Sequence, residues 1–271
     1  MRSVILSSAL IIFVAVLAGC PSLPPANFPG NEAFRRADEN FLNGNYTEAI
    51  SYYQQFLAAE KMSEYIPEAY YRMGVSYLAL GNYQESEKSM LQALRKPPRN
   101  NRKSFELVAY NSLAQLYQEQ NKYKDAIYYY RKAINNNNGE LSLPYLHYNL
   151  GISLMRHDQY AEGRQHLQSA LDMFQPESKE DEKLRERIQE RLSIPPNIFT
   201  VQLGKFSVKD NAVNYQQELQ QEKGINTTVT IILIAGNEFY YVWSGRYETF
   251  EEAKKEADRI NETGTEAVVI P

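Results

Sequence analysis

The sequence predicts a chain in two parts: a solenoid of repeated helix–turn–helix units, then a small α+β domain with the element order βαββαβ. Three observations predict it. One pattern of tyrosines and small residues recurs four times between residues 33 and 174. A short run of strand, glycine, basic residue and aromatic begins at Val201 and again at Val242. Between the two regions, "IPPN" at 194–197 interrupts any helix. At 271 residues there is room for two modest domains, and a net charge of −4 creates no field that would gather nucleic acid.

The first element is a leader. Arg2 precedes an apolar run from Val4 to Ala18, short for a membrane span of ~20 residues and suited to a secretory signal. The run ends in "LAGC", Leu17 to Cys20, with small residues before the cut. This ending resembles the bacterial lipoprotein signal, which implies that residues 1–19 are removed, that Cys20 carries the lipid, and that the membrane is a partner through it. Cys20 is the single cysteine, so the mature chain has no disulfide and no thiolate metal site. Residues 20–32 form a Pro-rich tether whose "PSLPPANFPGN" reaches ~35 Å at ~3.1 Å per residue. Pro21, rather than Asp, follows the cysteine. The lipoprotein resemblance then favours the outer membrane, facing the periplasm.

The repeat array comes next, over 33–174. "GNYTEAISYYQQF", "GNYQESEKSMLQA", "NKYKDAIYYYRKA" and "DQYAEGRQHLQSA" align on Tyr46, Tyr83, Tyr123 and Tyr160. A small residue follows each tyrosine by three positions (Ala49, Ser86, Ala126, Gly163), and a bulky one comes four later (Tyr53, Met90, Tyr130, Leu167). Upstream, Gly74, Ala114 and Gly151 stand nine positions before their tyrosines. Small residues at fixed helical positions let helices approach closely, and aromatics fill the space beside them. The pattern resembles the tetratricopeptide repeat (TPR), with short insertions between its units. In that family the first helix of each unit lines a concave groove. By position this groove takes Phe34, Asp38 and Phe41, then Tyr71, Val75 and Leu78, then Asn111, Gln115 and Gln118, and last Tyr148, Ile152 and Met155. The resemblance implies a peptide or protein partner there, and the competing occupant is another part of this chain.

Two further features belong to the array. "LRKPPRNNRK" at 94–103 is a basic insertion, read as a solvated loop. His147, His157 and His166 share the fourth unit without the one-face spacing of metal ligands, so no metal or cofactor is expected. A capping helix and linker occupy 175–197. "SKEDEKLRERIQERL" opens on Ser178 and carries one stripe, Leu184, Ile188 and Leu192, as the end of a solenoid requires.

The last domain, 198–271, is internally duplicated: "VQLGKFSVKDNA" and "VWSGRYETFEEA" each run from strand to helix. Ser207 with Asp210 and Thr249 with Glu252 supply helix starts, and Gly224 and Gly264 supply helix ends. The β-branched runs at 227–235 and 266–270 complete a ferredoxin-like sheet with its first and third strands as central neighbours. If Val201, Leu203 and Val242 face the helices, then Gln202, Tyr241 and Trp243 share the opposite face. An aromatic platform beside an amide suits a sugar ring. The same face serves RNA in other domains of this topology. Here seven Lys/Arg against eleven Asp/Glu over 196–271 argue against nucleic acid.

"VQLGKF" and "YYVWSGRYETFEEA" resemble the two signatures of the SPOR domain, a module of bacterial envelope proteins. The resemblance covers 199–271 and implies binding of peptidoglycan glycan strands stripped of stem peptides. Carried onto this chain, the site takes in Gln202, Phe206, Ser207, Tyr241, Trp243, Arg246 and Tyr247. Lys205 departs from the serine usual there. No nucleophile with a base and no phosphate loop is present, so the expectation is a non-enzymatic, lipid-anchored protein that binds glycan and a protein partner in division or wall remodelling. The alternative is a structural assembly lipoprotein whose last domain packs on its own repeats.

Overall fold

The structure is a computed structural model that describes residues 32–174, 179–193, 198–234 and 236–270. The leader, Cys20, Ser178 and "IPPN" lie outside the described residues. Among the described residues no helix is long and apolar enough to cross a membrane.

Nine helices precede the sheet among the described residues: α1 (Glu32–Leu42), α2 (Tyr46–Ala59), α3 (Ile66–Ala79), α4 (Tyr83–Arg95), α5 (Arg102–Glu119), α6 (Tyr123–Asn136), α7 (Leu143–Arg156), α8 (Tyr160–Asp172) and α9 (Lys179–Ser193). Each repeat tyrosine is the first residue of the second helix in its pair. The turn before it requires a left-handed residue two positions earlier, and the sequence supplies Gly44, Gly81, Asn121 and Asp158, with φ of 75°, 73°, 57° and 60°. Glycine, asparagine and aspartate are the residues that tolerate this conformation. The recurring "GNY", "NKY" and "DQY" therefore encode the hairpin itself.

The small residues mark where paired helices cross. A Cβ on Gly74 would meet Met90 Cγ at 2.7 Å and Ser86 O at 3.2 Å. Ser86 Oγ uses that proximity to donate to Gly74 O at 2.8 Å. In the fourth pair, a Cβ on Gly151 would meet Gly163 O at 2.9 Å. The bulky repeat positions Tyr53, Met90, Tyr130 and Leu167 are all fully buried beside these crossings. Their apolar burial contributes on the order of 2 kcal/mol each.

The chain forms two compact units, one up to Leu146 and one from His147 onward, with the boundary inside α7. In the first, α1 to α6 stack as helical pairs. A charged network is buried within it: Arg72 on α3 reaches Asp38 at 3.3 Å and Glu68 at 2.6 Å, and Tyr53 Oη donates to Asp38 at 2.6 Å.

The second unit contains the end of α7, then α8, α9 and the C-terminal domain. That domain has β1 (Phe199–Phe206), α10 (Lys209–Lys223), β2 (Thr228–Ile234), β3 (Asn237–Tyr247), α11 (Phe250–Asn261) and β4 (Val268–Ile270). Its antiparallel sheet runs β2-β3-β1-β4, so the first and third strands are central, as the duplication predicts. Thr249 Oγ1 accepts from Glu252 N at 3.3 Å and starts α11. Ser207 does not start α10: Val208 occupies the N-cap in an extended conformation, with no side-chain cap. Gly224 closes α10 at φ 66°.

Candidate functional site

Gln202 and Trp243 are direct cross-strand partners on β1 and β3. The duplication had placed them at equivalent positions, and antiparallel pairing brings them together on one face. Tyr241 lies two residues along, its ring 5.8 Å from that of Trp243. These two rings pack with Ile232 and Ile234 of β2, flanked by Phe239 and Ile270. A bulge between Gln202 and Gly204 then resets the alternation, so that Lys205 pairs with Tyr241. Lys205 Nζ consequently sits 4.4 Å from the Phe239 ring centre and 5.4 Å from that of Tyr241. This explains the lysine at a position the SPOR signature gives to serine: it lies over aromatic rings.

The face is not open. Tyr241 is 0 % exposed and Trp243 only 5 %. α9 packs on β2 and on α8, and its Glu190 acts on the Tyr241 hydroxyl. Leu184 and Ile188 supply its buried apolar stripe. Lys205 Nζ stands 3.9 Å from Glu190 Oε2 on α9. Burial raises the Glu190 carboxyl above its ordinary value, with Lys205 pulling the other way. Burial and the Glu190 charge likewise raise the Tyr241 hydroxyl. The helix expected to cap the solenoid therefore also covers the sheet.

The other expected glycan residues separate. Phe206 is opposite Tyr240 and packs against Tyr215 of α10 at 5.5 Å between ring centres, on the helix side. Tyr247 also turns to that side, where Glu256 and Arg259 of α11 act on its hydroxyl. Ser207, just past β1, and Arg246, near the end of β3, are exposed. Only Gln202, Tyr241 and Trp243 share the covered face.

Most residues expected in the peptide groove are core. Phe34 packs edge-on against Phe56 at 5.0 Å and Tyr53 at 5.9 Å. Tyr71 is fully buried, its hydroxyl 3.1 Å from Ser112 Oγ of α5. Phe41, Val75, Asn111, Ile152 and Met155 are also buried, the last against Gly163. Leu78, Gln115 and Tyr148 are half-buried. The physical reason is the small residue at each crossing, which draws these neighbours into the helix–helix contact.

Sequence reasoning missed three arrangements. Tyr110, Tyr117, Tyr128 and Tyr129 cluster between α5 and α6, with Tyr117 and Tyr129 stacked at 5.5 Å and Lys132 Nζ 4.6 Å from the Tyr128 ring centre. His147 and His166 face each other across α7 and α8, Nδ1 to Nδ1 at 2.8 Å. Burial and the His166 charge lower the pKa of His147. Among the described residues no group of three or more His, Cys, Asp or Glu is placed to hold a metal. The third is α9 on the sheet. Its stripe was legible, but its second contact was not.

The family comparisons agree with this architecture. The SPOR domain model matches residues 195–271, and a tetratricopeptide repeat model matches 65–138. The chain thus carries a TPR-type helical repeat followed by a SPOR domain. The first points to protein–protein interaction. The second points to peptidoglycan binding and to the cell envelope. No curated protein matches the chain. Among solved structures, the apo form of RapI is similar with a TM-score of 0.50 at 17% identity, over 59% of this chain and 60% of that one. MamA 41-end from Desulfovibrio magneticus RS-1 aligns at 21% identity and a TM-score of 0.48, over 60% of this chain and 86% of that one. The RapI likeness is one of fold alone.

Proposed function

We propose that this protein is a non-catalytic, lipid-anchored envelope protein that binds peptidoglycan through its SPOR domain and a protein partner through its repeats. Lipidation at Cys20 of "LAGC" holds it at the membrane, with the outer membrane favoured by Pro21. The ligand is the denuded glycan strand that marks septal wall cleavage, which sets the protein in division or wall remodelling. Anchor and wall contact reinforce one another, because tethering raises the effective concentration of the second site.

The observation that carries this reading is the SPOR match over 195–271, together with Gln202 opposite Trp243 on one sheet face. An indole ring stacks on the C–H groups of a sugar, and the amide pairs with hydroxyl or acetamido groups. Sedimentation of the full chain with purified peptidoglycan, before and after amidase treatment, tests it. Binding should rise when stem peptides are removed and fall at least tenfold in Trp243→Ala. Indifference to amidase, or an unchanged Trp243→Ala variant, would overturn it.

A second reading is favoured by the burial of Trp243. In it the last domain is a structural block, and the protein assembles partners without touching glycan. The same sedimentation separates the two, since a structural block leaves peptidoglycan in neither state bound.

A further inference from the structure

α9 packs on β2, and Glu190 reaches Lys205 of β1, across a poorly matched polar surround. Leu184 and Ile188 are the enclosed apolar side chains of the helix. On the sheet, Gln202 Oε1, Thr200 Oγ1 and Trp243 Nε1 are buried, and each lacks a partner of hydrogen-bonding geometry among the described residues. The helix contributes mismatches of its own. Gln189 Oε1 is unpartnered, and so are all three guanidinium nitrogens of Arg191, which is 3 % exposed. Buried polar groups in a permanent core are nearly always paired. Here Thr200, Gln202 and Trp243 on the two central strands are exceptions, while Arg191 lies beside Arg164 and Tyr160 of α8.

The unpaired atoms on the sheet form a set: one indole donor, one amide acceptor and one hydroxyl. That set fits an uncharged, hydroxyl- and acetamido-bearing polymer better than it fits α9. The polar tie between helix and sheet runs through Glu190, which acts on the Tyr241 hydroxyl and on Lys205. The ion pair of Lys205 with Glu190 is at 3.9 Å, long for a charge-assisted hydrogen bond.

We propose that α9 is a displaceable cover that shuts the glycan face, and that glycan strands bind by competing with it. This inference rests on the glycan reading above and adds a closed state to it. The closed state buries Trp243 under α9. In the open state α9 leaves the sheet, and the unpaired atoms take their partners from sugar. Apparent affinity is then the intrinsic affinity multiplied by the open fraction, so a variant that opens the cover binds more tightly without any change in the site.

Trp243 is the only tryptophan, so its fluorescence reports the cover directly. The experiment compares the full chain with Ile188→Asp, which places a charge in the buried stripe, and with Glu190→Lys, which sets like charges against Lys205 and spares the apolar contact. Both variants should raise acrylamide quenching of Trp243 and shift its emission to the red, with the far-ultraviolet circular dichroism unchanged. Both should also bind amidase-treated peptidoglycan about tenfold more tightly than the parent, as expected when a face open ~10% of the time becomes fully open. Adding Trp243→Ala to either should abolish the gain. If Trp243 remains equally protected in both variants, α9 is not the cover. If the parent and the variants bind equally, and all through Trp243, the glycan reading stands and the cover falls. If the variants expose Trp243 and none binds, the glycan reading falls and takes the competition with it.

Discussion

Glu190 of α9 and Lys205 of β1 face each other at 3.9 Å across the helix–sheet contact, beside the Tyr241 ring. The pair combines a carboxylate that burial disfavours with a cation resting on aromatic rings.

The docking of α9 should depend on pH. The groups facing Glu190 are Lys205, Tyr241, Arg187 and Glu186; burial, aided by the Glu186 charge, outweighs the other three and raises its pKa above the ordinary 4.5. The docked form therefore holds the proton more tightly than the undocked form. Its added stability is present below that ordinary value and is lost as pH rises through the raised one. Acrylamide quenching of Trp243 should increase from pH 4.5 upward. Glu190→Gln should remove this trend and keep Trp243 protected at neutral pH.

Arg191 is the second test. Its guanidinium is pushed down to about 9 by burial and by the Arg164 charge, and it has no hydrogen-bond partner among the described residues. Arg191→Met keeps the volume and removes the enclosed charge. The variant should unfold at higher urea, stabilised on the order of 2 kcal/mol. A loss of stability would mean that the guanidinium is satisfied in solution.

Gly151→Ala probes the crossing of α7 and α8. The added Cβ meets backbone, Gly163 O at 2.9 Å, which cannot rotate away as a side chain would. Thermal unfolding should show a loss of about 1–3 kcal/mol. Gly139→Ala makes a useful comparison: its Cβ meets nothing within 4 Å, so any cost there comes from its φ of 94° alone.

In the first unit, Arg72 is 2 % exposed between Asp38 and Glu68. Arg72→Ala leaves two enclosed carboxylates without their cation and should lower stability by about 3–5 kcal/mol. Asp38→Asn keeps a polar partner for Tyr53 Oη and should cost less. Equal losses by urea denaturation would show that Glu68 has no share in holding Arg72.

Much of this architecture was legible in residue order, because hairpin turns, helix crossings and strand alternation are local events. The tyrosine after each left-handed turn, the small residue three positions on and the repeated strand–glycine–aromatic motif each specify geometry within a few residues. The pairing of Gln202 with Trp243 was legible for the same reason, since duplication and a known strand order set the register. The groove was less so: the periodicity of α1, α3, α5 and α7 shows which positions are apolar, not which of two neighbouring helices each one meets.

The sequence alone determined that α9 has one apolar stripe and therefore needs a partner. It equally determined that Gln202, Tyr241 and Trp243 form a single face. Only the tertiary structure decided that α9 packs on that sheet as well as on α8. A stripe of Leu184, Ile188 and Leu192 buries equally well against any apolar surface within reach, because hydrophobic contact carries no direction. The choice among those surfaces depends on how α8, β2 and β3 stand around the helix, and that arrangement appears only once the whole unit has folded.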